Sequence, residues 1–146
     1  MMLRFEKSSE RWWQKPLVVV DGKHLPAELA VLGRELKAGE AGAWLNSRGV
    51  KSATVDLVCD HSGKFKTVRA PLPHFVAERL EELYGEVRLT KSAPDLVVWH
   101  EPSHQIRFIE VKNPHWDRPS GEQLQFLSAA EARGIPIAIV EWEFRP

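Results

Sequence analysis

An α/β fold, a mixed sheet flanked by helices, is what this sequence predicts, and three observations predict it. Two short apolar runs, 93–99 and 106–112, are rich in β-branched and aromatic residues and are joined by a polar stretch, His100-Glu-Pro-Ser-His-Gln105. That pattern reads as two strands and a turn. A helix with clear start and stop signals follows, and a last apolar segment, Ile137–Phe144, closes the chain as a strand. Helical periodicity also alternates with extended segments upstream, as a sheet covered on its faces requires.

In chain order, Leu17–Val20 predicts a short strand, turned by Asp21-Gly22. Leu25, Leu29, Leu32 and Leu36 recur at three- and four-residue steps and predict a helix over 25–37. Glu40 to Arg48 is read as a second helix, stopped by Gly49. Segments 52–59 and 64–69 predict a hairpin around His61-Ser-Gly63. Pro73 starts another helix, with Phe75, Val76, Leu80 and Leu83 on one side and Gly85 at its end; Val87–Thr90 reads as extended. Ser120-Gly-Glu-Gln123 is a capping box, Ser at the N-cap and Gln at the third helical position. That helix runs through Leu124, Leu127 and Ala130 to Gly134, with Pro136 beyond as a stop. In the last strand Ile137, Ile139 and Val140 are expected to be buried, with alternation at Trp142 and Phe144.

At 146 residues the chain suits a single domain that buries roughly two thirds of its unfolded surface. Residues 1–70 would form an N-terminal part and 71–146 would carry the core motifs. With 43% hydrophobic and 27% charged residues the composition is globular, not disordered. Cys59 is the only cysteine, which excludes an internal disulfide and fits a reducing compartment. No run approaches the roughly 18 apolar residues of a membrane helix, and the N-terminus lacks a signal-peptide stretch. The expected location is cytoplasmic or nucleoid-associated, with no membrane partner.

The chemistry concentrates in Pro94-Asp95 and, fifteen positions after that Asp, Glu110-Val111-Lys112. In a strand, residues i and i+2 share a face, so Glu110 and Lys112 point the same way and Asp95 can meet them from the neighbouring strand. Two carboxylates and an amine on an apolar sheet are costly unless compensated. Hard oxygen ligands of this kind suit Mg²⁺ or Mn²⁺, with the Val111 backbone carbonyl as a third ligand. Lys112 would then orient or deprotonate a water and steady charge on phosphorus. The bland alternative is a surface Glu–Lys pair beside an unrelated Asp. No His-x₃-His or Cys-x₂-Cys spacing supports zinc, and there is no Gly-rich phosphate loop or nucleophile elbow.

Pro94-Asp-Leu-Val-Val-Trp99, Phe108-Ile-Glu-Val-Lys-Asn-Pro114 and Asp117-Arg-Pro-Ser-Gly-Glu-Gln123 together resemble the VRR-NUC branch of the PD-(D/E)XK nucleases, with the nuclease domain of the Fanconi-associated nuclease family the nearest pattern. The resemblance covers about residues 71–146. It implies a restriction-endonuclease-like sheet, with Asp95 and Glu110 as metal carboxylates, Lys112 as catalytic lysine and Gln123 as a catalytic glutamine on the next helix. Gln123 also has its capping role, and the two can coexist. The chain departs from the family pattern in two places. Asn113 stands where Gly is usual, and His115-Trp116 lengthens the loop by one residue. Asn tolerates a left-handed backbone, which would preserve a turn. Trp116 would stack on a base or plug the site.

Such nucleases commonly add an upstream helical acid, here Glu40 or Glu28; either is equally explained as a first-turn glutamate favoured by the helix dipole. Net charge is zero, with 14 basic and 12 acidic residues in 1–90 against 6 and 8 in 91–146. Phosphate contacts would come from Lys64, Lys66 and Arg69, which otherwise form a solvated hairpin face. The implied activity is a Mg²⁺- or Mn²⁺-dependent DNA endonuclease acting on branched DNA, four-way junctions or flaps, as a homodimer. The alternative is a nuclease-fold module that binds nucleic acid or a partner protein without cutting.

Overall fold

The computed structural model describes residues 2–12, 15–45, 53–59, 65–70, 72–87, 94–116 and 120–146. Its elements are β1 (Met2–Trp12), β2 (Lys15–Val20), β3 (Lys23–Leu25), α1 (Ala27–Glu35), β4 (Glu40–Leu45), β5 (Ala53–Cys59), β6 (Phe65–Ala70), α2 (His74–Val87), β7 (Leu96–His100), β8 (Gln105–Lys112), α3 (Gly121–Ala132) and β9 (Ile137–Phe144). The strands form one mixed sheet in the order β3-β2-β1-β9-β8-β7-β4-β5-β6. The β8–β9 and β1–β9 pairs are parallel and the others antiparallel. This is the predicted α/β architecture. Among the described residues no helix is long and apolar enough to cross a membrane.

The two-residue period of β7 and β8 builds a core on each face. Val97, Trp99, Ile106 and Phe108 pack under α2 and α3 with Leu80, Leu83, Tyr84 and Phe126. The alternate residues Leu96, Val98, Ile109 and Val111 pack under α1 with Leu29, Val31, Leu32 and Phe5. A strand buried on both sides reads as a near-continuous apolar run, which is why 93–99 and 106–112 are legible from composition.

Turn chemistry agrees with the sequence. Asp21 and Gly22 both take positive φ, 50° and 75°, between β2 and β3, the backbone that an Asp-Gly type I′ hairpin turn needs. The Ser120–Gln123 capping box is complete: Gln123 N–H donates to Ser120 Oγ at 3.1 Å, and Ser120 N–H donates to Gln123 Oε1 at 3.0 Å. Strands β5 and β6 pair as the expected hairpin; its turn, 60–64, lies outside the described residues, as do 88–90 of the expected extended segment.

Four expectations are corrected. Residues 40–45 of the predicted second helix are strand β4, which pairs antiparallel with β7 from Glu40↔His100 to Trp44↔Leu96; 46–48 lie outside the described residues. β7 is buried on both faces and must satisfy its backbone on both edges. That tertiary demand outweighs the weak helix signal of Glu-Ala-Gly-Ala. The second correction is Met2–Trp12, an eleven-residue strand not anticipated. Leu3 and Phe5 alternate inward there and Ser8 is buried further along, but the segment 6–11 is too polar to signal a strand. Helix α1 spans only Ala27–Glu35, so Leu25 ends β3 and Leu36 is the C-cap, and α2 runs past Gly85 to Val87, which is helical and not extended. Finally, of the three β9 residues expected to be buried, Ile139 is 52% exposed and Ile137 and Val140 are only half-buried.

Gly42 shows why β4 carries a glycine. A Cβ there would lie 2.6 Å from Leu32 Cδ1 and 3.0 Å from the Val97 carbonyl oxygen. The side chain can move, but the β7 backbone cannot without disturbing the ladder. Gly42→Ala is expected to destabilise the fold by about 1–3 kcal/mol, measured as a lower urea midpoint at unchanged slope.

Candidate active site

Asp95 immediately precedes β7, and Glu110 and Lys112 end β8, so antiparallel pairing (Leu96↔Ile109) brings the three to one edge of one sheet face. The register is locked by reciprocal bonds. Asp95 N–H donates to Glu110 Oε1 at 2.9 Å, and Val111 N–H donates to Asp95 Oδ2 at 2.8 Å. Each carboxylate is thus held by the backbone of the strand opposite it. Lys112 Nζ lies 3.8 Å from Glu110 Oε2 and donates to Gln123 Oε1 at 3.3 Å. Gln123 Oε1 therefore serves the helix cap and the lysine together, the coexistence its position in the sequence allowed.

The group is dry. Glu110 is fully buried, and Lys112 is 6% exposed. Burial, reinforced by the adjacent Glu110 carboxylate, pushes the Asp95 carboxyl from its ordinary 3.8 up to about 8. Glu110 Oε2 has no hydrogen-bond partner, although the Lys112 ammonium stands near it. Two close carboxylates, one with a buried oxygen lacking a hydrogen bond, are short of positive charge. A divalent cation is the group this donor set fits: Asp95 and Glu110 would hold it, with the Val111 carbonyl beside them. Among the described residues no third His, Cys, Asp or Glu joins the pair in a cation-holding cluster.

The upstream acids part ways. Glu40 is at the opposite end of β4, opposite His100, five residues along β7 from Asp95 and so roughly 17 Å away at strand rise. There Arg107 grips it in a two-pronged pair, Nη2 to Oε1 at 2.9 Å and Nε to Oε2 at 3.1 Å, which holds its carboxyl below the usual range. Glu40 is therefore corrected from ligand to structural ion pair; its helix assignment had put it in the wrong place. Glu28 is buried in the first turn of α1, a helix that packs on β8 from the other face.

The loop after β8 turns without left-handed geometry at Asn113. Its Oδ1 accepts from His115 N–H at 3.0 Å, and its carbonyl accepts from Trp116 N–H at 3.2 Å. An Asx turn thus does what glycine would do elsewhere. His115 reaches Glu143, which Arg4 also holds. Trp116 is 59% exposed and packs edge-on to Trp142 and against Phe144, with ring centroids 5.8 and 6.1 Å apart. It does not plug the carboxylate pair. Lys66 and Arg69 stand on β6, the edge strand three places beyond β7; Lys64 and Asp117 lie outside the described residues. Missed by sequence reading was Arg107, whose interior position in an apolar strand was the available signal.

No curated protein matches the chain. Among solved structures, paFAN1 bound to 2-nucleotide 5′-flap DNA with a gap is similar at 24% identity and a TM-score of 0.40, covering 48% of this chain and 14% of that one. The paFAN1 complex with a 1-nucleotide 5′-flap DNA with a gap is similar at 26% identity and a TM-score of 0.38, covering 51% and 14%. The chain thus spans about one seventh of the length of the proteins it matches. The VRR-NUC domain matches residues 43–142, from β4 into β9 and across Asp95, Glu110, Lys112 and Gln123, and the chain belongs to this VRR-NUC family of nuclease domains.

Proposed function

We propose that this nuclease domain is a Mg²⁺- or Mn²⁺-dependent DNA endonuclease that hydrolyses phosphodiesters by in-line attack of water. The observation that carries the reading is the buried Asp95–Glu110 pair with the Lys112 ammonium 3.8 Å from Glu110 Oε2. A divalent cation held there would polarise the phosphoryl oxygens and acidify water. Asp95 and Glu110 are preset for it by the crossed backbone bonds, so little reorganisation is needed on binding. Lys112, steered by Gln123, orients the attacking water and steadies the charge that develops on phosphorus. Burial of the group excludes bulk water and strengthens each interaction.

Branched DNA, junction or flap, is the proposed substrate, cut by a homodimer in the cytoplasm or nucleoid. Glu28 is the upstream acid still to be tested as a further ligand. Lys64, Lys66 and Arg69 remain the basic residues proposed to contact DNA phosphates. A second reading, a module that binds without cutting, is favoured by the zero net charge and by a donor set that holds only two carboxylates among the described residues.

The test is cleavage of labelled junction, flap and linear DNA with Mn²⁺, Mg²⁺ or EDTA. Cutting in either metal and none in EDTA is expected; binding of every substrate with no cutting would favour the second reading. Within the same assay, Glu40→Gln is expected to change kcat/KM by less than about tenfold, under 1.4 kcal/mol, while lowering Tm. A larger loss of activity would return Glu40 to the site.

A further inference from the structure

A second concave site lies at the end of the sheet away from the catalytic group. The β7–β8 turn, the α1–β4 link, helix α2 and the α3–β9 link frame an open cavity of about 670 Å³. Its edge at His100 is five residues along β7 from Asp95, roughly 17 Å at strand rise, so the hydrolytic chemistry does not use it. The volume falls in the range of small-molecule sites, about 300–1,000 Å³.

Lys37, Arg79, Arg107 and Arg133 line this cavity, and Glu40 is the only carboxylate among the described residues that does. Arg107 and Glu40 satisfy each other through two bonds, and Arg107 Nη2 also donates to the Glu35 carbonyl at 2.8 Å. The other three cations keep unused donors. Lys37 Nζ makes no hydrogen bond or ion pair among the described residues. Arg79 Nη1 stands 3.6 Å from Glu82 Oε2, outside hydrogen-bond distance. Arg133, the C-cap of α3, donates from Nε to Glu86 at 2.6 Å and from Nη1 to the same Glu82 oxygen at 3.0 Å, which leaves its Nη2. Sharing Glu82 Oε2 places the two guanidiniums side by side. Glu82 and Glu86 do not themselves line the cavity. With both counted, the Lys37 charge is still in excess.

We propose that this cavity binds a small phosphate ester of about nucleotide size, its phosphate on Arg79, Arg133 and Lys37. The three cations belong to three different elements and reach the cavity from different sides. A phosphate group offers three strong acceptor oxygens in a tetrahedral array, whereas a carboxylate offers two in one plane. Arginine is also the side chain that best matches phosphate, being weakly hydrated and forked. The rest of the wall suits an organic body. Ile106, Ile135 and Pro136 are apolar, and His104, whose ring stacks face to face on Phe75 at 4.1 Å, adds a flat surface. Inorganic phosphate alone would leave that wall uncovered. The site is separate from the carboxylate pair, so the proposal stands whether or not the domain cuts DNA.

The test is calorimetric titration of the whole chain in EDTA with adenosine 5′-monophosphate, adenosine and citrate. The monophosphate is expected to bind once per chain, at least about tenfold more tightly than adenosine, the effect of charge-assisted bonds to its phosphate. Citrate, anionic but planar at each carboxylate, is expected to bind no better than adenosine. Lys37→Ala/Arg79→Ala changes two exposed positions. It should weaken the monophosphate at least about tenfold, with the ligand-free Tm within a few degrees of wild type. Equal affinity for monophosphate and adenosine, or an unchanged affinity in the double variant, would overturn the site. Citrate binding as tightly as the monophosphate would overturn the phosphate assignment. Displacement of the monophosphate by a short blunt DNA duplex would assign these cations to the backbone of a nucleic acid and overturn the small-molecule proposal.

Discussion

Lys112→Ala is expected to lower kcat for DNA cleavage by about a thousandfold or more, since the proposed mechanism has this group supply both water orientation and charge stabilisation. Its ammonium is held between Glu110 and Gln123 at 3.8 and 3.3 Å, in a buried position where a fixed cation acts far more strongly than at a surface. Lys112→Arg keeps the charge but spreads it over a fork of different shape that does not deprotonate. It is expected to rescue little. Gln123→Ala should lose less activity; it also removes one of the two capping-box bonds, Ser120 N–H to Gln123 Oε1, while the bond from the residue 123 N–H to Ser120 Oγ remains, at a cost of about 1 kcal/mol or less in stability. Single-turnover cleavage with saturating enzyme separates these effects from binding. A Lys112→Ala rate within tenfold of wild type would remove the lysine from the chemistry.

Asp95→Asn is expected to do opposite things to activity and to stability. Cleavage should fall to background, because one of the two carboxylates proposed to hold the cation is gone. In EDTA at pH 8, however, the variant should melt several degrees higher than wild type. The Asp95 carboxyl is pushed up to about 8 by burial, with the Glu110 charge adding to it. A folded value above the unfolded 3.8 means that the fold favours the protonated form. The stabilising contribution is complete below about pH 4, declines as pH rises and is lost above about pH 8. Metal-free wild type should therefore lose Tm steadily between pH 5 and 8. Glu40 and Glu143, whose carboxyls are held below their ordinary 4.5 by Arg107 and Arg4, act only as pH falls further. Asparagine carries no charge at this site and should flatten the profile, as should saturating Mn²⁺ in the wild type. A wild-type Tm flat across pH 5–8 in EDTA would show that the two carboxylates are not in conflict. Function kept at the expense of stability is the ordinary condition of an active site.

The motifs in β7 and β8 were readable because both strands are buried on two faces, so their apolar runs contrast with the charged residues inside them. A carboxylate at 95, another at 110 and an amine at 112 have no reason to lie in such runs unless they meet. The capping box was equally legible, since its two bonds are local and depend on spacing alone. β4 was not legible. Glu-Ala-Gly-Ala carries no strand propensity, and it is extended because β7 needs a partner and Gly42 lets Leu32 close over it. The same holds for β1, whose polar sequence is recruited as a strand by β2 on one side and β9 on the other.

Local chemistry therefore determined the α/β class, the Asp-Gly turn, the cap of α3 and the two strands that carry the acidic pair. These are short-range matters of periodicity, backbone freedom and hydrogen bonds between near neighbours. Long-range pairing alone decided that Glu40 binds Arg107 far from the pair, that Trp116 rests on Trp142 and Phe144, and that Ile139 stands exposed beside Glu110. Each of those outcomes depends on which strand lies next to which, a choice made by burying the whole sheet at once.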